Sequence, residues 1–514
     1  MNKNCILSAE LRGLSVRLIE VEADSACGLP GLHMVGNLAG EVRESAERVR
    51  CAVRNSRIDI PPRKIVINLS PADIRKSGTG YDLAIALAMM NCLGLCPIPF
   101  DRPTVVVGEL SLDGSLRPVR GVLPVAIEAK TSGISSMILP RENCSEASLV
   151  DGMHLHPVDD LESLVSQLKK GRLPDRWKAS ESGTAKSVPA DDQHDFADIR
   201  GQLAARRAAE IAVSGHHNLL MIGPPGAGKT MIARAVPSIL PPLTKEEQLE
   251  VSKIYSIMGL LSEEHPFMSG RPFRDVHHTV TRAALIGGGV SPHPGEISLA
   301  NSGVLFLDEL AEFSKPVLEV LREPLESKRI LISRGDYSCV FPADFFLIAA
   351  MNPCPCGHFP DLTRCTCTAS QIRSYRHKLS QPFLDRLDLC VMVSRIPFED
   401  LRSSSPAESS ALIRKRVERT MEIQKKRFEG TAITCNARIP AGSLSLYCPL
   451  DREEMRLLTS VYDKLNLTAR TCHKVIRIAR TIADIEGSGP ILLQHLSEAL
   501  TYRSFDRSFW DMPA

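Results

Sequence analysis

Over residues 1–168 the chain alternates short β-branched runs with helical patterns. Residues 65–69 (IVINL) and 104–107 are short runs rich in β-branched apolar residues, which predicts buried strands. Residues 81–90 are apolar around the helical wheel and predict a buried helix. The stretch 170–192 (KGRLPDRWKASESGTAKSVPADD) is polar and charged with no hydrophobic period, so 169–193 reads as a linker. The βα alternation resumes over 194–396, with strands predicted at 218–222, 303–307 and 345–349. From 397 to 514 the pattern is mostly helical, most clearly at 411–428 and 470–485. The predicted fold class is α/β: an N-terminal α/β domain, a linker, a larger core with a doubly wound parallel sheet, and a C-terminal α-helical lid.

Length and composition narrow this picture without changing it. A chain of 514 residues is too long for one core and implies two to four domains. Hydrophobic residues at 43% and charged residues at 24% are ordinary for a globular chain and argue against a disordered one. Net charge is only +2, so any contact with nucleic acid has to come from a local basic surface. The N-terminal residues lack the apolar core of a signal peptide, and the longest apolar stretch, around 83–90, is far short of a membrane span. A cytoplasmic protein with no membrane partner is expected. In that reducing setting, clustered cysteines read as metal ligands before disulfides.

Three apolar strands each end in candidate chemistry. GPPGAGKT at 223–230 matches the phosphate-cradling pattern and follows the apolar run NLLMI. Its backbone from Gly223 through Pro224, Pro225, Gly226, Ala227 and Gly228 is suited to wrap phosphates. Lys229 is placed to reach the β- and γ-phosphates of ATP, and Thr230 to hold Mg²⁺. VLFLDE at 304–309 puts Asp308 and Glu309 at the carboxyl end of a buried strand. Asp308 there orients Mg²⁺, and Glu309 polarises the attacking water. FFLIAAMN at 345–352 ends in Asn352, which is either a γ-phosphate sensor or a turn-forming residue before Pro353. Arg386, in PFLDRLDL, sits between apolar helix residues and has two readings. It is an arginine supplied to a neighbouring subunit's site, or the partner of Asp385 or Asp388.

Cys354, Cys356, Cys365 and Cys367 form a CxC-x8-CxC cluster, while the other cysteines are scattered singly. Four thiolates can close a tetrahedral Zn²⁺ site that staples a short loop, and free thiols or a redox pair are the alternative. His277 and His278 read as structural or interface residues rather than ligands. The segment 413–428 is rich in Lys and Arg, and its plainest reading is a solvated helix face.

Four stretches carry a family resemblance: FRDVHHTVTRAALIGGGVSPHPGEISLANSGVLFLDEL (273–310), MNPCPCG (351–357), YRHKLSQPFLDRLDL (375–389) and LTARTCHKVIRIARTIADIEG (467–487). Residues 195–505 resemble the magnesium-chelatase-like AAA+ ATPases, and the whole chain resembles the ComM/YifB family. Val276, Gln381 and Asn301 depart from the residues usual there. The resemblance implies a homo-hexameric ring with ATP at subunit interfaces, Arg386 as the finger acting in trans and Arg470 as the lid sensor. It further implies a DNA helicase that promotes branch migration on single-stranded or branched DNA during natural transformation. On this reading, the loop 286–296 and the hairpin-like 329–344 line a pore, with Lys328, Arg329 and Arg334 meeting phosphates.

SPADIRKSGTGYDLAIALA (70–88) and VVVGELSLDGSLRPVRGVLPVAIEAKTSGI (105–134) resemble the Lon-protease-like fold. Leu123 falls near the position of the proteases' lysine, and only Ser77 and Thr79 lie close to the nucleophile position. Without a Ser–Lys dyad, a non-proteolytic domain for assembly or DNA binding is expected. The alternative to a DNA motor is a magnesium-chelatase-type or protein-remodelling AAA+ ATPase that does not act on DNA. An ATP-dependent protease is the third class, disfavoured by the missing dyad.

Overall fold

The computed structural model describes residues 5–98, 102–178, 194–289, 292–334, 337–395, 407–464 and 467–510. Most of the expected linker, 179–193, therefore lies outside the described residues.

The N-terminal region is built on a seven-stranded mixed sheet. Cys5–Arg12 and Ser15–Ala26 form an antiparallel hairpin that turns at Gly13, whose φ of +59° favours glycine. Lys64–Ser70 pairs antiparallel with Ser15–Ala26, and Gly31–Val35 closes that edge in parallel. On the other side Thr104–Val106, Ser136–Pro140 and His154–Val158 continue in parallel from Cys5–Arg12. The helix Asp82–Cys92 is buried over residues 82–90, as its uniform apolarity requires. Its one carboxylate, Asp82, is satisfied by Arg48 at 2.9 and 3.1 Å and by the Leu110 N–H at 3.3 Å.

The second region holds a five-stranded parallel sheet, ordered Phe273–Val276, Val304–Leu307, Phe346–Met351, Leu219–Ile222, Leu389–Met392. Its three inner strands are buried at every position. Successive residues serve opposite faces. Leu219, Met221, Phe306 and Ile348 pack in one core with the lid residues Val475, Ile478 and Ile482. Leu220, Ile222, Leu305, Leu307 and Leu347 pack in a second core beneath the hairpin. The three apolar runs thus became the three inner strands. The strand Leu389–Met392 replaces part of the helix expected around Arg386, because its backbone pairs with Leu219–Ile222.

Helices Ser410–Arg427, Arg452–Lys464, Ala469–Glu486 and Leu493–Trp510 form the C-terminal region. The two regions also touch, through Val122–Thr131 and Lys245–Met258: the Gly121 N–H donates to the Ser256 carbonyl at 3.0 Å, and Leu123 N–H reaches Ser256 Oγ at 3.4 Å. Among the described residues, no helix is long and apolar enough to cross a membrane.

Candidate active site

Leu219–Ile222 delivers the chain to the carboxyl end of the parallel sheet, where residues 223–228 turn back into helix Lys229–Ala235. Gly223 is required by close approach, since a Cβ there would lie 2.1 Å from the Val393 carbonyl oxygen. Gly226 and Gly228 have φ of +73° and +91°, which an L side chain resists. Ala227 is buried, and its carbonyl accepts from Gln202 Nε2 at 2.9 Å. Lys229 is buried under the loop it follows. Its ammonium donates to the Gly223 carbonyl at 2.7 Å, the Pro224 carbonyl at 3.0 Å and Asn352 Oδ1 at 3.2 Å. Burial lowers the Lys229 pKa, and the charges of Asp308 and Glu309 oppose that.

Val304–Leu307, on the far side of Phe346–Met351 from Leu219–Ile222, brings Asp308 and Glu309 to the same end of the sheet. Thr230 Oγ1 donates to Asp308 Oδ2 at 2.8 Å, so hydroxyl and carboxylate share one point, as a divalent-ion pair of ligands would. Asp308 Oδ1 accepts from the Glu309 N–H at 2.8 Å. Glu309 adopts φ +51°, a left-handed conformation that costs about 1 kcal/mol or more for a residue with a side chain. The turn leaves its carboxylate half exposed, 3.1 Å from His278 Nδ1. His278 also stands edge-on to Phe313, and its ring centroid lies 4.1 Å from that of His277. The sequence reading gave His278 no part in this site. The residue follows strand Phe273–Val276, and only its parallel pairing with Val304–Leu307 brings it beside Glu309.

The two arginines lie elsewhere. Arg386 and Arg470 both bind Glu326, at 2.9 and 2.7 Å. Arg386 Nε also donates to the Arg322 carbonyl at 3.1 Å. Neither Asp385 nor Asp388 is its ion-pair partner. The Asp388 carboxylate instead accepts from the Asn218 N–H at 2.9 Å and pairs with Lys474 at 2.8 Å. Burial raises the Asp388 carboxyl, but Lys474 and the other donors outweigh it and bring it down to about 2. Asn218 precedes Leu219–Ile222, so this network marks the amino-terminal end of the sheet, opposite Lys229. Arg470, expected as the lid sensor, is thus held beside Arg386 on Glu326. The reason is that helix Ala469–Glu486 docks by Lys474 onto Asp388 and the Leu387 carbonyl.

The four cysteines converge. The sulfurs of Cys354, Cys356, Cys365 and Cys367 all lie within 4.8 Å of one another. Cys354 stands 3.4 Å from Cys356 and 3.8 Å from Cys365, with Cys356 to Cys365 at 3.6 Å. Four thiolates about 2.3 Å from a zinc ion sit about 3.8 Å apart along a tetrahedral edge, so the donor set fits such an ion.

Other candidate surfaces change their meaning. Arg329–Arg334 and Tyr337–Pro342 do form an antiparallel hairpin, with residues 335–336 and the Arg334 side chain outside the described residues. Lys328 is not offered to solvent: it is half-buried 3.7 Å from Asp344, with its ammonium over the Phe345 ring. Arg329 remains exposed. The loop 286–296 folds as a small antiparallel pairing of Gly287–Gly288 with His293–Pro294, residues 290–291 being outside the described set. The basic helix Ser410–Arg427 spends its arginines internally. Arg414 binds the Ser238 carbonyl, Arg416 binds Glu210 and Glu408, Arg419 binds the Ile485 carbonyl and Arg427 binds Asp484. In the N-terminal region Ser77 Oγ donates to Glu10 at 2.7 Å, and Thr79 donates to Glu109. Leu123 is fully buried.

Sheet order, phosphate loop, paired carboxylates and polar strand end together define a P-loop ATPase core of the magnesium-chelatase type. Three family models agree with that: magnesium chelatase subunit ChlI over residues 195–401, subunit ChlI of Mg-chelatase over 21–143, and the ChlI C-terminal region over 407–503. The chain is 40% identical over 496 residues to YifB of Escherichia coli K12, covering 96% of each chain. It is 38% identical over 509 residues to competence protein ComM of Haemophilus influenzae, covering 99% of this chain and 98% of that one. It belongs to the ComM/YifB family of magnesium-chelatase-like proteins. A stretch of 165 residues is also 24% identical to a Lon protease of Mycolicibacterium smegmatis, matching 30% of this chain and 21% of that protein.

Proposed function

We propose that the protein is an ATP-hydrolysing ring motor that moves on DNA and promotes branch migration during recombination of incoming strands. The observation that carries this reading is the division of the site between the two ends of one parallel sheet. Lys229, Thr230, Asp308, Glu309 and Asn352 meet at the carboxyl end, and Arg386 and Arg470 at the amino end. Arginines so placed cannot serve the phosphates of their own chain, but they can serve those of a neighbour packed head to tail. Closing such a heterologous contact gives a ring, and a hexamer is the closure we favour.

Within the site, Lys229 binds the β- and γ-phosphates, and Thr230 with Asp308 would hold Mg²⁺, which supplies charge neutralisation on the phosphate oxygens. Glu309 takes up the proton of the attacking water, and Asn352 orients that water against the γ-phosphate. The neighbour's Arg386 offsets the charge that develops on the transferred group, with Arg470 beside it. The four cysteines would hold a structural Zn²⁺. The N-terminal region acts in assembly or DNA contact rather than proteolysis, since Ser77 and Thr79 are bonded to Glu10 and Glu109 rather than to the lysine of a Ser–Lys dyad.

DNA as the substrate is supported by the name of the Haemophilus relative, a competence protein, and by the exposed Arg329 on the hairpin. The test is ATP turnover without DNA and with single strands, duplexes and four-way junctions, run alongside junction dissociation. Stimulation by branched DNA with ATP-dependent dissociation is expected. Equal turnover on every DNA with intact junctions would replace this reading with a chelatase-type or protein-remodelling ATPase.

A further inference from the structure

The cysteine cluster stands directly behind the phosphate loop. Cys354 follows Asn352, whose side chain already touches Lys229, by two residues. Three residues on, Gly357 adopts φ +81° with its Cα against the loop: a Cβ there would lie 2.4 Å from Pro225 Cδ and 2.8 Å from Pro225 Cγ. Pro225 is part of the loop proposed to wrap the phosphates, so the first cysteine turn is in contact with the outer side of that loop.

Besides the cysteines, this turn is held by short-range hydrogen bonds within the loop, such as Gly357 N–H to the Cys354 carbonyl at 3.0 Å and Cys365 N–H to the Asp361 carbonyl at 2.8 Å. Between strand Phe346–Met351 and helix Ala369–Arg376 there is no regular element, and residues 360–364 are exposed, including Leu362 at 80%. A loop with so little buried apolar surface does not hold its shape by packing. Its inward contacts are the sulfur cluster, the Phe359 N–H donated to Cys354 Sγ at 3.4 Å, and the Arg376 guanidinium 4.9 Å from the Phe359 ring. The N–H on Cys354 Sγ orients that sulfur, as the outer hydrogen bonds of metal-ligating groups do. Without an ion the four sulfurs have no common centre to hold them together, and the loop would open.

We propose that the cysteine knuckle braces the phosphate loop: a tetrahedral thiolate site for a Zn²⁺-class ion whose occupancy sets nucleotide affinity through the contact of Gly357 with Pro225. This rests on the reading of residues 223–230 as the nucleotide site. Metal binding and nucleotide binding are then linked, and each raises the affinity for the other.

The test uses the full chain and the fluorescent nucleotide mant-ADP. Zinc per chain is measured by mass spectrometry, and mant-ADP affinity is measured before chelator treatment, after it, and after Zn²⁺ is restored. The expected result is one zinc per chain and an affinity that falls about tenfold on stripping and returns with Zn²⁺. Cys365→Ser with Cys367→Ser removes half the ligand set and unfolds the loop, so Gly357→Ala supplies the milder probe. It should retain its zinc yet bind mant-ADP at least about fivefold more weakly, and it should have little further effect when Pro225→Ala has removed the atoms it strikes. Unchanged affinity after verified loss of zinc, together with a silent Gly357→Ala, overturns the coupling. A folded chain that takes up no zinc overturns the metal site itself. A zinc-loaded wild type that binds no mant-ADP overturns the nucleotide-site reading, and the coupling with it.

Discussion

Glu309 is the residue whose backbone reports its role most directly. Its left-handed conformation at the end of a strand turns the carboxylate out of the sheet and towards His278, 3.1 Å away. A general base contributes about 10²- to 10⁴-fold to a proton-transfer step, so Glu309→Gln should retain ATP binding while turnover falls by at least about a hundredfold. An ATPase assay with a parallel nucleotide titration checks both halves. His278 contacts Glu309, so with Glu309 as the proposed base it would be a positioning residue. His278→Ala should change kcat severalfold while leaving nucleotide affinity near that of the wild type. Loss of nucleotide affinity in that variant would instead make His278 part of the binding surface. Short runs of characteristic residues located Lys229, Thr230, Asp308 and Glu309 in the sequence, although the contacts that join Thr230 to Asp308 and Lys229 to Asn352 span 78 and 123 residues. No local signal identified His278.

At the scale of elements, the lid is fastened by charge where the sequence suggested a basic face. Lys474 and Asp388 form a buried pair at 2.8 Å between helix Ala469–Glu486 and the start of strand Leu389–Met392. Removing one member of a buried pair leaves the other charge uncompensated, at a cost of about 3–5 kcal/mol. Lys474→Ala should therefore lower the denaturant midpoint substantially, and Lys474→Ala with Asp388→Ala should recover part of the loss. The same logic governs Ser410–Arg427, whose arginines bind Ser238, Glu210 and Asp484. Helical periodicity located these helices to within a residue or two, but it could not say which basic side chains had partners. A lysine facing solvent and a lysine facing a buried aspartate have the same spacing.

For the whole molecule, the separation of Arg386 from its own phosphate loop has a consequence in mixtures. Chains carrying Lys229→Ala and chains carrying Arg386→Ala should each be inactive, since an arginine acting in trans is worth about 10³- to 10⁵-fold in rate. Mixed together they should regain a fraction of wild-type turnover, because some interfaces then pair an intact loop with an intact arginine. No recovery in an assembled mixture would argue that Arg386 acts within its own chain. The junction between the N-terminal region and the parallel-sheet region adds a pH effect. Burial pushes the Glu146 carboxyl up to about 7 from an ordinary 4.5, against hydrogen bonds to Ser256 and Asn143. The folded form thus holds more protons than the unfolded form between those values, so stability falls as pH rises from about 4.5 to about 7 and levels off above. Glu146→Gln should flatten that part of the melting-temperature profile.

The sequence by itself determined whatever depends on short-range order. The phosphate loop needs glycines at fixed spacing, buried parallel strands need unbroken apolar runs, and a thiolate cluster needs cysteines close along the chain. Each was readable in GPPGAGKT, VLFLDE, FFLIAAMN and CxC-x8-CxC. Tertiary structure alone decided which distant groups meet. Arg470 and Glu326 are 144 residues apart, and their pairing sets Arg470 beside Arg386. The contact of Gly357 with Pro225, the place of His278 beside Glu309 and the burial of Lys328 against Asp344 arise in the same way. They follow from the order in which strands pair and from the docking of the lid, and no period or spacing along one chain encodes either.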